Sequence, residues 1–150
     1  MKNTRQWIPA AGLAATFIAA SHMVVQLSGQ PTTPAGNFTN AALAEVRDAQ
    51  GRVILNGQFK PVEEEDDDVE RKATLAPTGV DADAAGEAEV EFTKATPVEQ
   101  EVEFSVQKVD PGAVLTFVID GVEIATATAD KEGRAAVELD VRMSAATPAR

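Results

Sequence analysis

The stretch VEEEDDDVE at positions 62–70 sets six acidic residues in an unbroken row. The chemistry this suggests is calcium binding, since that hard cation takes six to eight oxygen ligands, carboxylates among them. Glu65, Asp66, Asp67 and Asp68 are the candidate metal ligands. A calcium loop also needs the chain to approach the ion from several directions, usually with a glycine at the sharp turn, and this run has none. The competing reading is a solvated acidic loop, whose charge would also discourage strand edges from associating. A second near-match is GVDADAAGEAEVE, with Asp81, Asp83 and Gly86 at the first, third and sixth places of a calcium loop. It departs at the fifth place, where Ala85 stands, and at the twelfth, where Phe92 replaces the bidentate glutamate.

Other site chemistries lack their residues. Beyond position 40 the serines are Ser105 and Ser144, and the chain has one histidine, His22, and no cysteine. Nucleophilic catalysis needs a nucleophile paired with a base, so it is not expected. Zinc and other metals that prefer nitrogen or sulfur have no ligand set. A carboxylate hydrolase would need two acids converging in a cleft, one of them desolvated, whereas the acids here alternate along strand-like runs. No catalytic residue and no cofactor is therefore expected, calcium excepted.

The formal net charge of −11 argues against nucleic acid, whose phosphates call for clustered Lys and Arg, and against anionic membrane surfaces. It leaves a protein partner, self-association or a divalent cation as the expected interactions. The first 30 residues look like an export signal: Lys2 and Arg5, then an apolar run from Trp7, then small residues at Ala19 and Ser21 suited to signal-peptidase cleavage. Residues 1–21 are the expected signal, with a cut as late as Gly29 as the variant and an uncleaved anchor as the rival. Loss of Lys2 and Arg5 would take the charge from −11 to −13. Residues 22–40 read as a flexible spacer and 143–150 as a frayed tail. The expected location is periplasmic or extracellular.

Between them, residues 41–142 carry the period of two that marks half-buried antiparallel strands. In EVEFSVQKV, Val102, Phe104 and Val106 alternate with Glu101, Glu103, Ser105 and Gln107. GEAEVEF and GRAAVELDV repeat the pattern, and AVLTFVI is apolar at nearly every position, as a centrally placed strand would be. Turn chemistry separates the runs: DAQGR at 48–52, DPGA at 110–113, Asp120-Gly121, and DKEGR at 130–134. Strands are expected at 41–47, 52–60, 69–76, 87–94, 99–109, 113–120, 122–129 and 133–141. The fold class is all-β, an antiparallel sandwich or small barrel of about 7–8 strands. Glu87, Glu89 and Glu91 would make one acidic face with Glu99, Glu101 and Glu103 if their strands pair.

Over residues 72–140 the succession of turns resembles bacterial exported β-sandwich modules of the chordin type. Gly86, Asp120, Gly121, Thr128, Asp130 and Gly133 are the matching positions, and the histidines often found in such modules are absent. The resemblance implies a β-sandwich and an extracytoplasmic setting, with no activity attached. The expectation for function is a non-catalytic envelope or extracellular module, structural or binding. A calcium-stabilised adhesion or matrix unit is the first alternative and a carboxylate hydrolase the second.

Overall fold

A computed structural model describes residues 36–60, 63–65, 67–94 and 99–142. The expected export signal, most of the expected spacer, Asp66 and the expected tail lie outside them. The described chain forms nine strands: β1 Leu43–Arg47, β2 Val53–Gln58, β3 Glu63–Glu65, β4 Asp68–Pro77, β5 Ala85–Thr93, β6 Glu99–Gln107, β7 Val114–Ile119, β8 Val122–Thr128 and β9 Arg134–Arg142. All pairings are antiparallel, in the order β8-β7-β1-β2-β4-β5-β6-β9, with β3 set against β4. The all-β expectation holds, and the sheet is a single, nearly closed barrel. β4 turns the corner, pairing along most of its length with β5 and through Ala76 and Pro77 with β2. At the other side, the edge strands β8 and β9 are joined by the turn at 130–133.

Period-two alternation becomes the core. On β6, Val102, Phe104 and Val106 are buried while Glu101, Glu103 and Ser105 are exposed, the pattern half-buried strands require. Phe104 on β6 and Phe117 on β7, both fully buried, meet across the interior with centroids 5.1 Å apart and planes tilted by 50°. Their strands are not neighbours, so this contact ties opposite walls of the barrel together.

Turns behave as their residues dictate. Asp120 and Gly121 both have positive φ, 48° and 81°, the conformation of a two-residue hairpin whose twist matches its strands. The Asp120 carboxylate accepts the amides of Ala42 and Leu43, at 3.1 and 2.8 Å, and so fastens this hairpin to the start of β1. DAQGR and DKEGR fold alike. In each, the aspartate carboxylate accepts two later amides, from Gln50 and Arg52 or from Glu132 and Arg134, and a glycine takes positive φ. The packed body also begins before the first alternating run, because Phe38 is buried at 3% exposure.

The acidic run departs from the expected loop. Glu63, Glu64 and Glu65 pair with Glu70, Val69 and Asp68, so the stretch is the tip of a hairpin. An alternating pattern was hidden there because residues 63–68 are all acidic and show no apolar face.

A carboxylate array on the barrel wall

The candidate ligands of the acidic run are spread over this hairpin tip. Glu65 faces Asp68 across the ladder, Asp67 is exposed in the turn, and Asp66 lies outside the described residues. The Asp68 carboxylate accepts the Thr93 hydroxyl at 3.3 Å, and the Asp67 carbonyl accepts the Lys94 amide at 2.8 Å. Among the described residues no three acidic, histidine or cysteine side chains are grouped to hold a metal ion. Asp81 lies apart, with Asp48 and Asp110, on an open groove of about 590 Å³ between three turns, floored by Ile54 and Leu115. There the Asp48 carboxylate is already engaged by Arg52 Nε at 2.7 Å. Burial would raise its pKa, but the amides of Arg52 and Gln50 and the Arg52 guanidinium outweigh that, and Asp48 titrates below the ordinary aspartate value.

The densest charge is elsewhere, on the outer wall formed by β5, β6 and β9. Strand register sets Glu91 opposite Glu101 and Glu101 opposite Asp140; one step along, Glu89 faces Glu103 and Glu103 faces Glu138. Two rows of three carboxylates therefore lie side by side on adjacent strands, and directly opposed like charges destabilise a sheet. Among the described residues the ion pairs on this wall stand at its margins: Lys72 bridges to Glu70 and, at 3.5 Å, to Glu89, while Arg142 bridges to Glu99 at 3.1 Å. Ser105, the one described serine, sits on the same wall between Glu87 and Ala136, exposed.

Glu101 is the centre of the array, and its pKa is raised. Partial burial is the largest cause, followed by repulsion from Glu138, Glu91, Asp140 and Glu103. A folded-state pKa above the unfolded one means that the folded chain binds this proton more tightly. The associated stability is present below the unfolded pKa and lost as pH rises through the folded one. Glu101→Gln should therefore raise the melting temperature at pH 7, by up to about 1 kcal/mol of stability because solvent screens exposed charges. The gain should shrink as pH falls to about 4, where the native glutamate is itself protonated. Thermal melts of both chains at the two pH values would check this, and an equal difference at each would refute it.

The acidic face of Glu87, Glu89 and Glu91 with Glu99, Glu101 and Glu103 was legible from alternation. Its completion by Glu138 and Asp140 was not, since nothing local tells that β9, with Glu138 35 residues after its partner Glu103, lies beside β6. No family model matches the chain, and no curated protein or solved structure is similar to it.

Proposed function

We propose that the protein is an exported, non-catalytic envelope or extracellular module that binds a basic protein partner through the β5-β6-β9 wall. The observation that carries this reading is the double row of carboxylates, Glu91–Glu101–Asp140 and Glu89–Glu103–Glu138, bridged among the described residues by Lys72 and Arg142 at its edges. A wall of one sign, built on paired strands, attracts and orients a partner of the opposite sign. The repulsion it stores in the free protein is relieved when positive charge arrives, so binding and stability rise together. A chordin-type resemblance belongs to the same reading, although the sheet is one nearly closed barrel and not the sandwich that resemblance implies. Its matching residues shape turns and a close approach: Asp120 and Gly121 form the tight hairpin, Asp130 and Gly133 build a second turn, and Gly86 lets β6 approach, its missing Cβ falling 2.6 Å from the Ser105 carbonyl.

The test uses polylysine as the probe against the full chain, by calorimetry and by melting temperature. Changing Glu91, Glu101 and Asp140 to their amides should weaken binding by about tenfold or more. The same loss of charge at Asp83, Asp110 and Glu123, exposed but off the wall, should weaken it far less. Equal losses from the two triple variants would refute a defined face. A saturable rise in melting temperature with calcium that magnesium does not reproduce, lost when Asp67 and Asp68 become Asn, would instead favour the calcium-stabilised adhesion module.

A further inference from the structure

Residues 36–40 lie against the core as a strap beside the start of β6. The Phe38 ring is buried, and its amide donates to Oε1 of Gln100, itself 2% exposed, at 2.8 Å. The carbonyl of Thr39 accepts Nη1 of Arg71, from β4, at 2.7 Å. A turn closed by the Ala41 amide on the Phe38 carbonyl, 2.9 Å, then leads into β1. At the far end a Cβ on Gly36 would fall 2.3 Å from the Phe38 ring, so a larger residue there would displace the ring. The body thus reads one aromatic side chain, one main-chain donor and one main-chain acceptor of a short peptide, as a peptide-binding site would.

The docking has a weak side. Nε of Arg71 is buried and has no hydrogen-bond partner among the described residues. An unmet buried donor is costly, and water admitted by an opening of the strap would satisfy it. The strap also works against charge. Gln100 pairs with Phe92 on β5 and Val141 on β9, one residue from the row Glu91–Glu101–Asp140 on the other side of the sheet. Facing Glu101 there are Glu89 and Glu91 from β5, Glu99 and Glu103 from β6, and Glu138 and Asp140 from β9. Among the described residues Arg142 bridges to Glu99, and Lys72 bridges to Glu70 and Glu89. Repulsion among these carboxylates pushes the three strands apart at the end where the strap pulls β6 inward.

We propose that residues 36–40 form a latch: Phe38 and Thr39, docked on Gln100 and Arg71, hold the start of β6 in register against its charged neighbours, so that opening of the strap and charge on the acidic wall are coupled. Neutralising or screening the wall closes the latch, and uncompensated charge loosens it. This goes beyond the binding role and stands whatever partner meets the wall. It also makes the residues just after the expected export signal a working part of the fold.

Amide hydrogen exchange of the full chain, read by NMR at fixed pH, tests the coupling. The amides of Phe38, Ala41 and Gln100 should exchange faster than those of Phe117 and Val118 in β7, through a local opening. Salt at about 0.5 M, which shortens screening to a few ångströms, should slow that opening about threefold or more while leaving β7 nearly unchanged. Glu101→Gln should do the same at low salt, and Phe38→Ala should speed it about tenfold or more. Because Phe38→Ala removes a buried ring, Glu101→Gln carries the test alone if that variant does not fold. Strap amides that exchange only as slowly as β7 would overturn the latch, and a strap opening that ignores both salt and Glu101→Gln would overturn the coupling.

Discussion

Gly133→Ala is expected to cost about 3 kcal/mol of stability, and the same change at Gly51 about 1 kcal/mol, although both glycines end a D-x-x-G-R turn. Gly51 and Gly133 have nearly the same backbone, with φ of 76° and 72°. An L side chain pays for left-handed φ at either site. The surroundings differ. Nothing lies within 4 Å of a Cβ placed on Gly51, whereas one on Gly133 would sit 2.3 Å from the carbonyl oxygen of Val109. That oxygen is main chain and cannot swing aside. The Gly133 carbonyl also accepts the Val109 amide, at 3.2 Å, so moving one segment away from the other breaks a backbone hydrogen bond just beyond the β6–β9 ladder. Thermal melts of the full chain should show a fall of about 10 °C or more for Gly133→Ala and about 5 °C for Gly51→Ala. Equal falls would mean that backbone conformation alone sets the cost and that the close approach of 109 to 133 is unimportant.

Phe104→Ala is expected to be the most damaging change in the barrel, at about 3–5 kcal/mol. The ring is fully buried and is one of the two that bridge opposite walls, against Phe117 at 5.1 Å. Truncation removes its transfer free energy and leaves a cavity between walls that are fixed by their own ladders and collapse poorly. Total stability of such a domain is about 5–15 kcal/mol, so this one change removes a large part of it. Urea unfolding should show a midpoint shift of that size, with Phe104→Leu milder because most of the volume is kept. Phe117→Ala should be similar alone, and the double variant should fall short of the sum by about 0.5–1.5 kcal/mol, the part owed to ring-on-ring contact. A loss below about 1.5 kcal/mol for Phe104→Ala would show that the walls close over the gap.

These two sites also mark where sequence stops and tertiary structure begins. That Gly133 stands in a turn follows from D-x-x-G-R alone, because only the short aspartate carboxylate and a glycine satisfy such a bend. That it differs from Gly51 depends on Val109, 24 residues away, and no local rule supplies that neighbour. Phe104 is inward by alternation, since side chains of a strand go to opposite faces with a fixed period. Its partner Phe117 is set by how the sheet curls. Eight of the nine strands were legible to within a few residues for the same reason, as apolar alternation between turn residues is a local signal. β3 was not, because an all-acidic stretch has no contrast between its faces, and only the ladder to Asp68, Val69 and Glu70 makes it a strand.

The candidate site divides the same way. Composition and period alone determine an acidic chain whose glutamates line the solvent side of its strands, a body without cysteine, and an N-terminus with the pattern of an export signal. Which carboxylates stand face to face was decided by register, a long-range property fixed by the closing of the barrel and by β9 taking its place beside β6. The burial of Phe38 against Gln100 was likewise invisible in a segment of Pro, Thr, Gly and Asn, where no period announces a core residue. Local chemistry chose the elements and their faces; the packing of distant strands chose the neighbours, because side-chain period is written along the chain and contact is made across it.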